Sequence, residues 1–314
     1  MKDSFGREIT YLRLSVTDRC NLRCIYCMPE SGIPLVPHAE ILSVDETIRL
    51  TGIIMKAAGI RKIRVTGGEP LVRKGLLDII RGVSDLHPDE LVLSTNGLLL
   101  GSMAERLAEA GIERVNISLD SLREDRIKLI SRTDISLKNI ENAIESALNA
   151  GLTPVKVNVV VIRNINDDEI TQFIRWSGRT GVTVRFIEHM PSMLSDDIFV
   201  ARDEIIERAS ALGKIIRREN EGTSGIYTSV DTGETFGIIA PFSDPMCRSC
   251  NRIRLSARGD LLTCLAEEKG VSLIGLLRSD SDDEVISELV RSTVMKKPDS
   301  HGGCIHADMW RIGG

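Results

Sequence analysis

The sequence lacks several features that would place it in a specialised class of proteins. It has no run of about 20 apolar residues, the length that a membrane-spanning helix needs. Its beginning, MKDSFGREIT, has no apolar segment typical of a signal peptide. The net charge is −5, so no overall positive charge attracts nucleic acid or an anionic membrane. We therefore expect a cytoplasmic protein with neither nucleic acid nor membrane partners.

The chain also lacks the even set of cysteines expected of a disulfide framework. It has seven cysteines, and an odd number in a reducing compartment argues against disulfide bonds. Six of them fall into two groups of three, and Cys304 stands apart. The groups are Cys20, Cys24 and Cys27, and Cys247, Cys250 and Cys264. Two such groups predict two metal sites.

Alternating strand and helix patterns fill the first part of the chain. The 314 residues, 42% of them hydrophobic, suffice for one large domain or a domain with an appendage. Alternation of strands with amphipathic helices predicts parallel strands joined by helical crossovers. The predicted strands are Tyr11–Val16, Lys62–Thr66, Leu91–Thr95, Arg114–Leu119, Val155–Ile162 and Val182–Ile187.

Helix-capping patterns and a change in the order of strand and helix patterns divide the chain further. Ser43 with Glu46 predicts one helix start, and Asn166 with Glu169 predicts another. After Pro191, short strand patterns separated by glycine turns favour a small antiparallel sheet. We therefore predict a barrel domain over residues 1–190 and a C-terminal region over residues 191–314.

The predicted parallel strands are apolar on one face only. In Val155–Ile162 the odd-numbered residues are valines, whereas Lys156 and Asn158 share the other face. The strands beginning at Tyr11 and Lys62 place Arg13 and Arg64 on the polar face in the same way. Six such strands predict an α/β fold, an incomplete parallel (β/α)6 barrel with a polar lumen and a small C-terminal antiparallel α+β extension. The alternative is a poorly covered sheet whose polar face meets solvent.

The first cysteine group suits an iron–sulfur cluster. Thiolates are soft ligands, and three of them bind three irons of a cubane cluster and leave the fourth iron open. A structural zinc ion usually takes four protein ligands, and the nearest histidine in sequence is the distant His38. The remaining alternative is three cysteines buried as small hydrophobic residues.

The first group and a glycine-rich loop together resemble the radical SAM (S-adenosylmethionine) superfamily. The matching segments are CNLRCIYC at 20–27 and Gly67–Pro70, which directly follows the second predicted strand. The resemblance implies a 4Fe–4S cluster on Cys20, Cys24 and Cys27, whose open iron binds SAM, and a barrel of the radical SAM type. It assigns four residues to SAM binding: Tyr26, Gly68, Ser118 and Met190. The strand alternation independently places Ser118 on the polar face.

The second cysteine group leaves two interpretations from its spacing alone. Thirteen residues separate Cys250 from Cys264, and a zinc site with Cys304 as fourth ligand competes with a second cluster. Three segments here resemble the GTP 3′,8-cyclase family of molybdenum cofactor biosynthesis: CNRIRLSARGDLLTCL at 250–265, RFIEHMP at 185–191 and Gly313-Gly314. This resemblance implies a second 4Fe–4S cluster on Cys247, Cys250 and Cys264 that binds the guanine of GTP. Cys304 is extra to the family pattern.

The family resemblance implies a reaction, partners and a substrate site. A SAM-derived radical takes hydrogen from ribose C3′ of GTP, and C3′ then bonds to guanine C8. An electron donor and a downstream cyclic pyranopterin monophosphate synthase are the implied partners. The GTP residues are Arg13, Arg64, Thr95, Lys156, Arg252, Ile253 and Arg254, and the catalytic residues are Gly313 and Gly314.

Charge and alternation support most of this substrate site independently. Five of its residues are cations, which a triphosphate requires, and they come from separate elements of an acidic protein. Thr95 is the exception, because alternation groups it with Leu91 and Leu93. Two other functions fit the sequence: another radical SAM enzyme with an auxiliary cluster, and a zinc-stabilised binding protein without catalysis.

Overall fold

A computed structural model of the chain describes residues 1–33, 36–190, 196–279 and 281–301. In these residues twelve strands form one sheet, in the order β12-β11-β10-β1-β2-β3-β4-β5-β6-β9-β8-β7. The strands are β1 Tyr11–Ser15, β2 Lys62–Thr66, β3 Glu90–Thr95, β4 Arg114–Ser118, β5 Lys156–Val161, β6 Thr183–Glu188, β7 Ile215–Glu221, β8 Ser224–Ser229, β9 Thr235–Ile239, β10 Arg252–Leu255, β11 Asp260–Leu262 and β12 Val271–Ser272.

Strands β1 to β6 pair in parallel in chain order and are joined by helices. This is the predicted incomplete (β/α)6 barrel, and its sheet does not close within the described residues. The α-helices are α1 Val44–Ala58, α2 Leu76–Ser84, α3 Ala104–Glu109, α4 Glu124–Ser131, α5 Leu137–Asn149, α6 Ile170–Thr180, α7 Arg202–Ala209, α8 Ile274–Arg278 and α9 Asp283–Met295. Among these, none has the length and apolar character needed to span a bilayer.

The apolar strand face is buried under the helices. Leu12, Leu14, Ile63 and Val65 are fully buried and belong to one core with Leu50 of α1 and other helix residues. The cap that begins α1 is as predicted, because Ser43 and Glu46 bond each other's backbone N–H. The apolar alternation therefore fixes which face of each strand packs outward, and the polar face is left for the lumen.

The second predicted helix cap is wrong. Helix α6 begins at Ile170, after Glu169. Asn166 instead joins two strands: its Nδ2 donates to the Asp120 and Val160 carbonyls at 2.6 and 2.8 Å, and its Oδ1 accepts from the N–H of Ile162 at 2.7 Å. Asparagine competes for backbone groups in this way, and here tertiary partners outcompete the helix.

The C-terminal strands flank both edges of the barrel. The antiparallel strands β7, β8 and β9 extend the sheet beyond β6, because β9 pairs with β6 in parallel. The antiparallel strands β10, β11 and β12 extend it beyond β1, because β10 pairs with β1 in parallel. Arg252 and Arg254 thereby join the polar face of the barrel, since paired residues of neighbouring strands point to the same side.

Candidate functional site

A cavity of about 250 Å³ lies at the carboxyl ends of the parallel strands. All three cysteines of the first group line it, and so do the four residues predicted to bind SAM. Those residues are Cys20, Cys24, Cys27, Tyr26, Gly68, Ser118 and Met190. Residues from β2, β3, β4, β5 and β6 complete the wall. The carboxyl ends of parallel strands are where ligands bind in α/β folds, because the loops there converge.

The glycine loop is shaped by its contact with the cysteine loop. The N–H of Gly68 donates to Thr17 O at 2.8 Å, and the N–H of Glu69 donates to Arg19 O at 2.8 Å. A Cβ on Gly68 would meet the backbone of Asp18 and Arg19, so a larger residue there would separate the two loops. This close approach places the Gly67–Pro70 loop directly against the segment that leads into Cys20.

A buried carboxyl group ties the same loop to the end of β3. Glu69 is 1% exposed and accepts hydrogen bonds from Thr95 Oγ1 at 2.7 Å, Asn96 N at 2.7 Å and Leu71 N at 3.0 Å. Burial raises the pKa of this carboxyl to about 7, although the three donors oppose the increase. Glu69 lines the cavity wall and was not singled out by the sequence analysis.

Tyr26 is positioned by a second buried carboxyl group. Its hydroxyl donates to Asp120 Oδ2 at 2.7 Å, and Asp120 Oδ1 accepts from Val160 N at 2.8 Å. Burial raises the pKa of Asp120 to about 6. The edge of the Tyr26 ring meets the His189 ring, with 6.5 Å between ring centroids. Asp120 and His189 also line the cavity, and neither was predicted from the sequence.

The three thiols fit a 4Fe–4S cluster, which needs several sulfur ligands that face one cavity. All three face the same cavity, and burial raises the pKa of the Cys24 thiol well above its usual value. A buried thiol of this kind becomes a thiolate when a metal replaces its proton. In the described part of the chain, no three His, Cys, Asp or Glu side chains are arranged to hold a single metal ion.

A group of cations covers the inner sheet face, which continues from the cavity toward the amino ends of the strands. We call it the lumen cations: Arg13, Lys62, Arg64, Arg114, Lys156, Arg185, Arg252 and Arg254. The sheet register places Arg64 beside Arg13, and Arg13 beside Arg254. Burial, together with the charge of a neighbouring guanidinium group, lowers the pKa of Arg185 to about 9 and that of Arg254 to about 10. Buried cations this close together are typical of a site that binds an anion.

Two residues connect the lumen cations with the cavity. Ser94 lines the cavity and accepts a hydrogen bond from Arg64 Nη1 at 3.0 Å. Asn158 also lines the cavity and accepts from Arg185 Nε at 3.0 Å. The cavity and the cations are therefore two parts of one continuous inner surface.

Arg185 was missed although its signal was present. Arg185 of β6 pairs in register with Asn158 of β5, so both side chains lie on the inner face of the sheet. The alternation used for the other strands therefore identifies Arg185. In the amide orientation that satisfies both arginines, the Asn116 oxygen accepts from Arg185 Nη2 at 3.0 Å and from Arg64 Nη2 at 3.1 Å.

Lys62 and Arg114 both pair with Glu90, so their charges are partly neutralised.

Thr95 lies beside the lumen cations rather than among them. Its side chain lines the cavity, but its hydroxyl donates to Glu69 and accepts from the N–H of Gly97. Ser94, one residue earlier, is the β3 side chain that contacts Arg64. The alternation that grouped Thr95 with Leu91 and Leu93 therefore agrees with its position, and its assignment to GTP stays a prediction.

A hairpin turn reaches two lumen cations from separate strands. Glu221 ends β7 and pairs with Lys156 of β5, and Thr223 accepts from Arg252 Nη2 of β10 at 3.0 Å. Between them Gly222 has a φ of 61°, the left-handed conformation that a two-residue hairpin turn requires. The turn thus spans from one side of the open barrel to the other.

The second cysteine group lies beside β10 and β11. Cys247 begins a short 3-10 helix, Cys247–Ser249, and the N–H of Cys250 donates to Cys247 O at 3.1 Å. Arg254 pairs with Leu262 in the antiparallel hairpin, and Cys264 follows two residues after Leu262, whereas Cys250 precedes Arg252 by two residues. All three cysteines are partly exposed.

Two buried cations hold the backbone around these cysteines. Arg7 donates to Cys247 O at 2.9 Å and to Pro298 O at 2.7 Å, and it pairs with Asp3 at 2.6 Å. Lys297, 2% exposed, donates to Arg252 O at 2.9 Å and to Thr263 O. Neither residue was predicted from the sequence, because both act on backbone carbonyls that only the fold brings near.

Cys304, Gly313 and Gly314 lie outside the described residues. The predicted catalytic role of the two glycines therefore stays a prediction. The same applies to Cys304, which is extra to the family pattern and is predicted to be a structural or bystander thiol.

Comparison with known proteins shows the family of the chain. Residues 14–177 match the Radical SAM superfamily, and residues 182–303 match a family described as Molybdenum Cofactor Synthesis C. A GTP 3′,8-cyclase of Thermodesulfovibrio yellowstonii is 44% identical over 95% of this chain and 94% of its own length. A GTP 3′,8-cyclase of Pelotomaculum thermopropionicum is 43% identical over 96% of this chain and 95% of its own length.

The chain belongs to the GTP 3′,8-cyclase family. A GTP 3′,8-cyclase of Geobacter sulfurreducens is also similar, 42% identical over 96% of this chain and 93% of the relative. The chain is therefore a radical SAM enzyme of molybdenum cofactor biosynthesis, with SAM and 4Fe–4S clusters as cofactors. The recognition made from the cysteine and glycine motifs is confirmed.

Solved structures are similar in fold alone. Streptococcus suis SuiB bound to S-adenosylmethionine has a TM-score of 0.62 at 13% identity, over 95% of this chain and 71% of that one. Methylornithine synthase has a TM-score of 0.52 at 17% identity, over 66% of this chain and 63% of that one. The predicted radical SAM type of barrel is thus confirmed.

Proposed function

We propose that this GTP 3′,8-cyclase family member converts GTP to (8S)-3′,8-cyclo-7,8-dihydroguanosine 5′-triphosphate inside the barrel lumen, the first step of molybdenum cofactor biosynthesis. The observation that carries the proposal is the continuity of the two parts of the inner surface. Ser94 and Asn158 each line the cavity that contains the first cysteine group. Ser94 accepts a hydrogen bond from Arg64, and Asn158 accepts one from Arg185. A SAM molecule in the cavity and a triphosphate on the cations would therefore be neighbours.

The cavity residues divide between cluster and SAM. Cys20, Cys24 and Cys27 would hold a 4Fe–4S cluster, which when bound supplies the electron that cleaves SAM and so the radical that attacks GTP. Tyr26, held by Asp120, and the Gly68 backbone would orient SAM, together with Ser118 and Met190. Enclosure by the strand ends restricts water there, and so protects a reactive species during the reaction.

The lumen cations would hold the triphosphate. Arg13, Arg64, Lys156, Arg252 and Arg254 come from β1, β2, β5 and β10, so they approach a ligand from several directions. Charge-assisted hydrogen bonds from such groups are short and strong. Ile253, whose side chain is buried, would contribute through its backbone, and Thr95 through the cavity rim.

The second cysteine group would hold the second cluster and the guanine. Cys247, Cys250 and Cys264 lie next to Arg252 and Arg254, so a base bound there would leave its phosphates near the cations. Gly313 and Gly314 would act in the chemical step. Residues 1–190 and 191–314 would form the two functional regions, served by an electron donor and followed by a cyclic pyranopterin monophosphate synthase.

The function is tested by anaerobic incubation with SAM, a chemical reductant and each of the four nucleoside triphosphates. We expect 5′-deoxyadenosine and a cyclised nucleotide with GTP alone. Formation of 5′-deoxyadenosine at the same rate with ATP, CTP or UTP, without a cyclised product from GTP, would contradict the proposed substrate.

Reconstituted protein is expected to carry about eight irons per chain, as two four-iron clusters. The reason is the pair of three-cysteine groups, one lining the cavity and one beside β10 and β11. Iron and zinc analysis of anaerobically reconstituted protein provides the measurement. Saturation at about four irons with one zinc would restore the zinc interpretation of the second group.

Glu221→Gln is expected to strengthen GTP binding, by about twofold to tenfold. The Glu221 carboxylate pairs with Lys156, which is 3% exposed, so an incoming phosphate must displace it. Equilibrium binding of GTP to the reconstituted enzyme measures the change. Glu219→Gln is the control, since it alters net charge equally at an exposed position of the same strand. Unchanged or weaker GTP binding in Glu221→Gln would show that the pair does not compete with substrate.

A further inference from the structure

Tyr11 lies among the lumen cations and has no role in the proposed reaction. It begins β1, is 5% exposed, and pairs in register with Lys62 on one side and Arg252 on the other. Its side chain therefore points into the lumen beside cations from both neighbouring strands, because paired residues share a sheet face.

The phenol contacts three of these cations with two different parts of its surface. Its hydroxyl accepts a hydrogen bond from Arg64 Nε. Its ring centroid lies 5.2 Å from Arg252 Cζ, 5.3 Å from Lys62 Nζ and 5.9 Å from Arg64 Cζ. Cations within about 6 Å of an aromatic ring are attracted by its π electrons.

This arrangement orients guanidinium groups without neutralising them by a carboxylate. Arg64 is held by the Tyr11 hydroxyl, the Ser94 hydroxyl and the Asn116 amide oxygen, and none of these groups is a carboxylate. A carboxylate in the same place would compete with a phosphate for the charge, as Glu221 does at Lys156. In its protonated form the phenol leaves most of the arginines' charge for an anion, and a bound triphosphate favours that form because it repels a phenolate.

The electrostatics of the phenol agree with this geometry. Burial raises the pKa of Tyr11, but three nearby guanidinium groups outweigh burial and lower this pKa to about 7. The three belong to Arg64, Arg13 and Arg252. A close, concentrated positive field has this effect on a buried tyrosine, and the hydrogen bond from Arg64 adds to it.

We propose that Tyr11 is a positioning residue for the substrate triphosphate: its hydroxyl orients Arg64, and its ring holds Arg252 and Lys62 at the spacing that the phosphates require. The inference rests on the proposed function, in which Arg64 and Arg252 bind GTP. Tyr11 itself acts through these cations.

The test compares GTP, guanosine and SAM binding in the reconstituted enzyme with Tyr11→Phe and Tyr11→Leu. Tyr11→Phe keeps the ring and loses the hydroxyl, so GTP binding should weaken by roughly threefold to tenfold. Tyr11→Leu loses both contacts and should weaken it by about tenfold to a hundredfold. Guanosine, which has no phosphate, and SAM should bind both variants as they bind the parent.

Two controls separate positioning from general damage. Tyr227→Phe removes the hydroxyl of an equally buried tyrosine on β8 and should change none of the three affinities. Arg64→Ala tests the underlying function and should weaken GTP binding by itself.

If Arg64→Ala leaves GTP binding unchanged, the proposed cation site fails and Tyr11 has nothing to position. If Arg64→Ala weakens GTP but Tyr11→Phe binds GTP like the parent, Tyr11 alone is refuted. An equal loss of GTP, guanosine and SAM binding would refute it as well.

Discussion

Cys24→Ser is expected to abolish SAM cleavage, whereas Cys264→Ser is expected to keep slow SAM cleavage and lose the cyclised product of GTP. The physical reason is the separation of the two cysteine groups. Cys24 lines the cavity with the predicted SAM residues, whereas Cys264 follows β11, which pairs with β10. Loss of one thiolate from a three-thiolate set destabilises the cluster that it holds.

The measurement is 5′-deoxyadenosine and cyclised nucleotide formed per chain under anaerobic, reducing conditions. Cys304→Ser is the matched control, and it should retain both activities because the family pattern does not include this cysteine. Circular dichroism must show each variant folded. Equal loss of both products in folded Cys264→Ser protein would contradict the proposed division between the two groups.

The double variant Arg64→Ala with Lys156→Ala is expected to lose GTP affinity by about a hundredfold to ten-thousandfold. Each cation is expected to contribute roughly 1.5–3 kcal/mol through a charge-assisted hydrogen bond, which is about one to two orders of magnitude in affinity. The two lie on β2 and β5, so their effects should be roughly additive unless Asn116, which contacts Arg64 and pairs in register with Lys156, couples them.

Binding of GTP and of SAM by the reconstituted variants gives the comparison. SAM affinity should stay nearly unchanged, because neither cation lines the cavity. Arg61→Ala is the control: this arginine is 59% exposed and pairs with Glu8 and Asp89 at the protein surface. GTP affinity equal to that of the parent in the double variant would show that the lumen cations do not meet the triphosphate.

Strand alternation predicted the barrel well because it reflects burial directly. Each of the six predicted parallel strands is present within one or two residues of its predicted ends, and Arg13, Arg64 and Lys156 share the inner face. A hydrophobic residue must face the helices at every second position, so the sequence carries this information locally. The predicted α6 cap failed because the Asn166 side chain bonds to the carbonyls of Val160 in β5 and of Asp120, which is 46 residues away in the sequence.

The C-terminal strands show where local patterns stop being informative. The antiparallel pairing of β7, β8 and β9 was predicted, but strands β10 to β12 were not, and neither was the attachment to β6 on one edge and β1 on the other. Which edge a strand joins depends on backbone hydrogen bonds that any sequence can make. It is decided by the packing of the whole sheet, and no residue type records it.

The sequence by itself determined the family, both cysteine groups, the polar lumen and most of its cations, because thiolate spacing and alternation are properties of neighbouring residues. The tertiary structure decided how these parts combine: the meeting of cavity and cations at Ser94 and Asn158, the Glu221 pair with Lys156, and Tyr11 among three cations. Each of these contacts joins residues from different strands. Charges and hydrogen bonds act over a few ångströms in space, so only the folded sheet could bring them within reach.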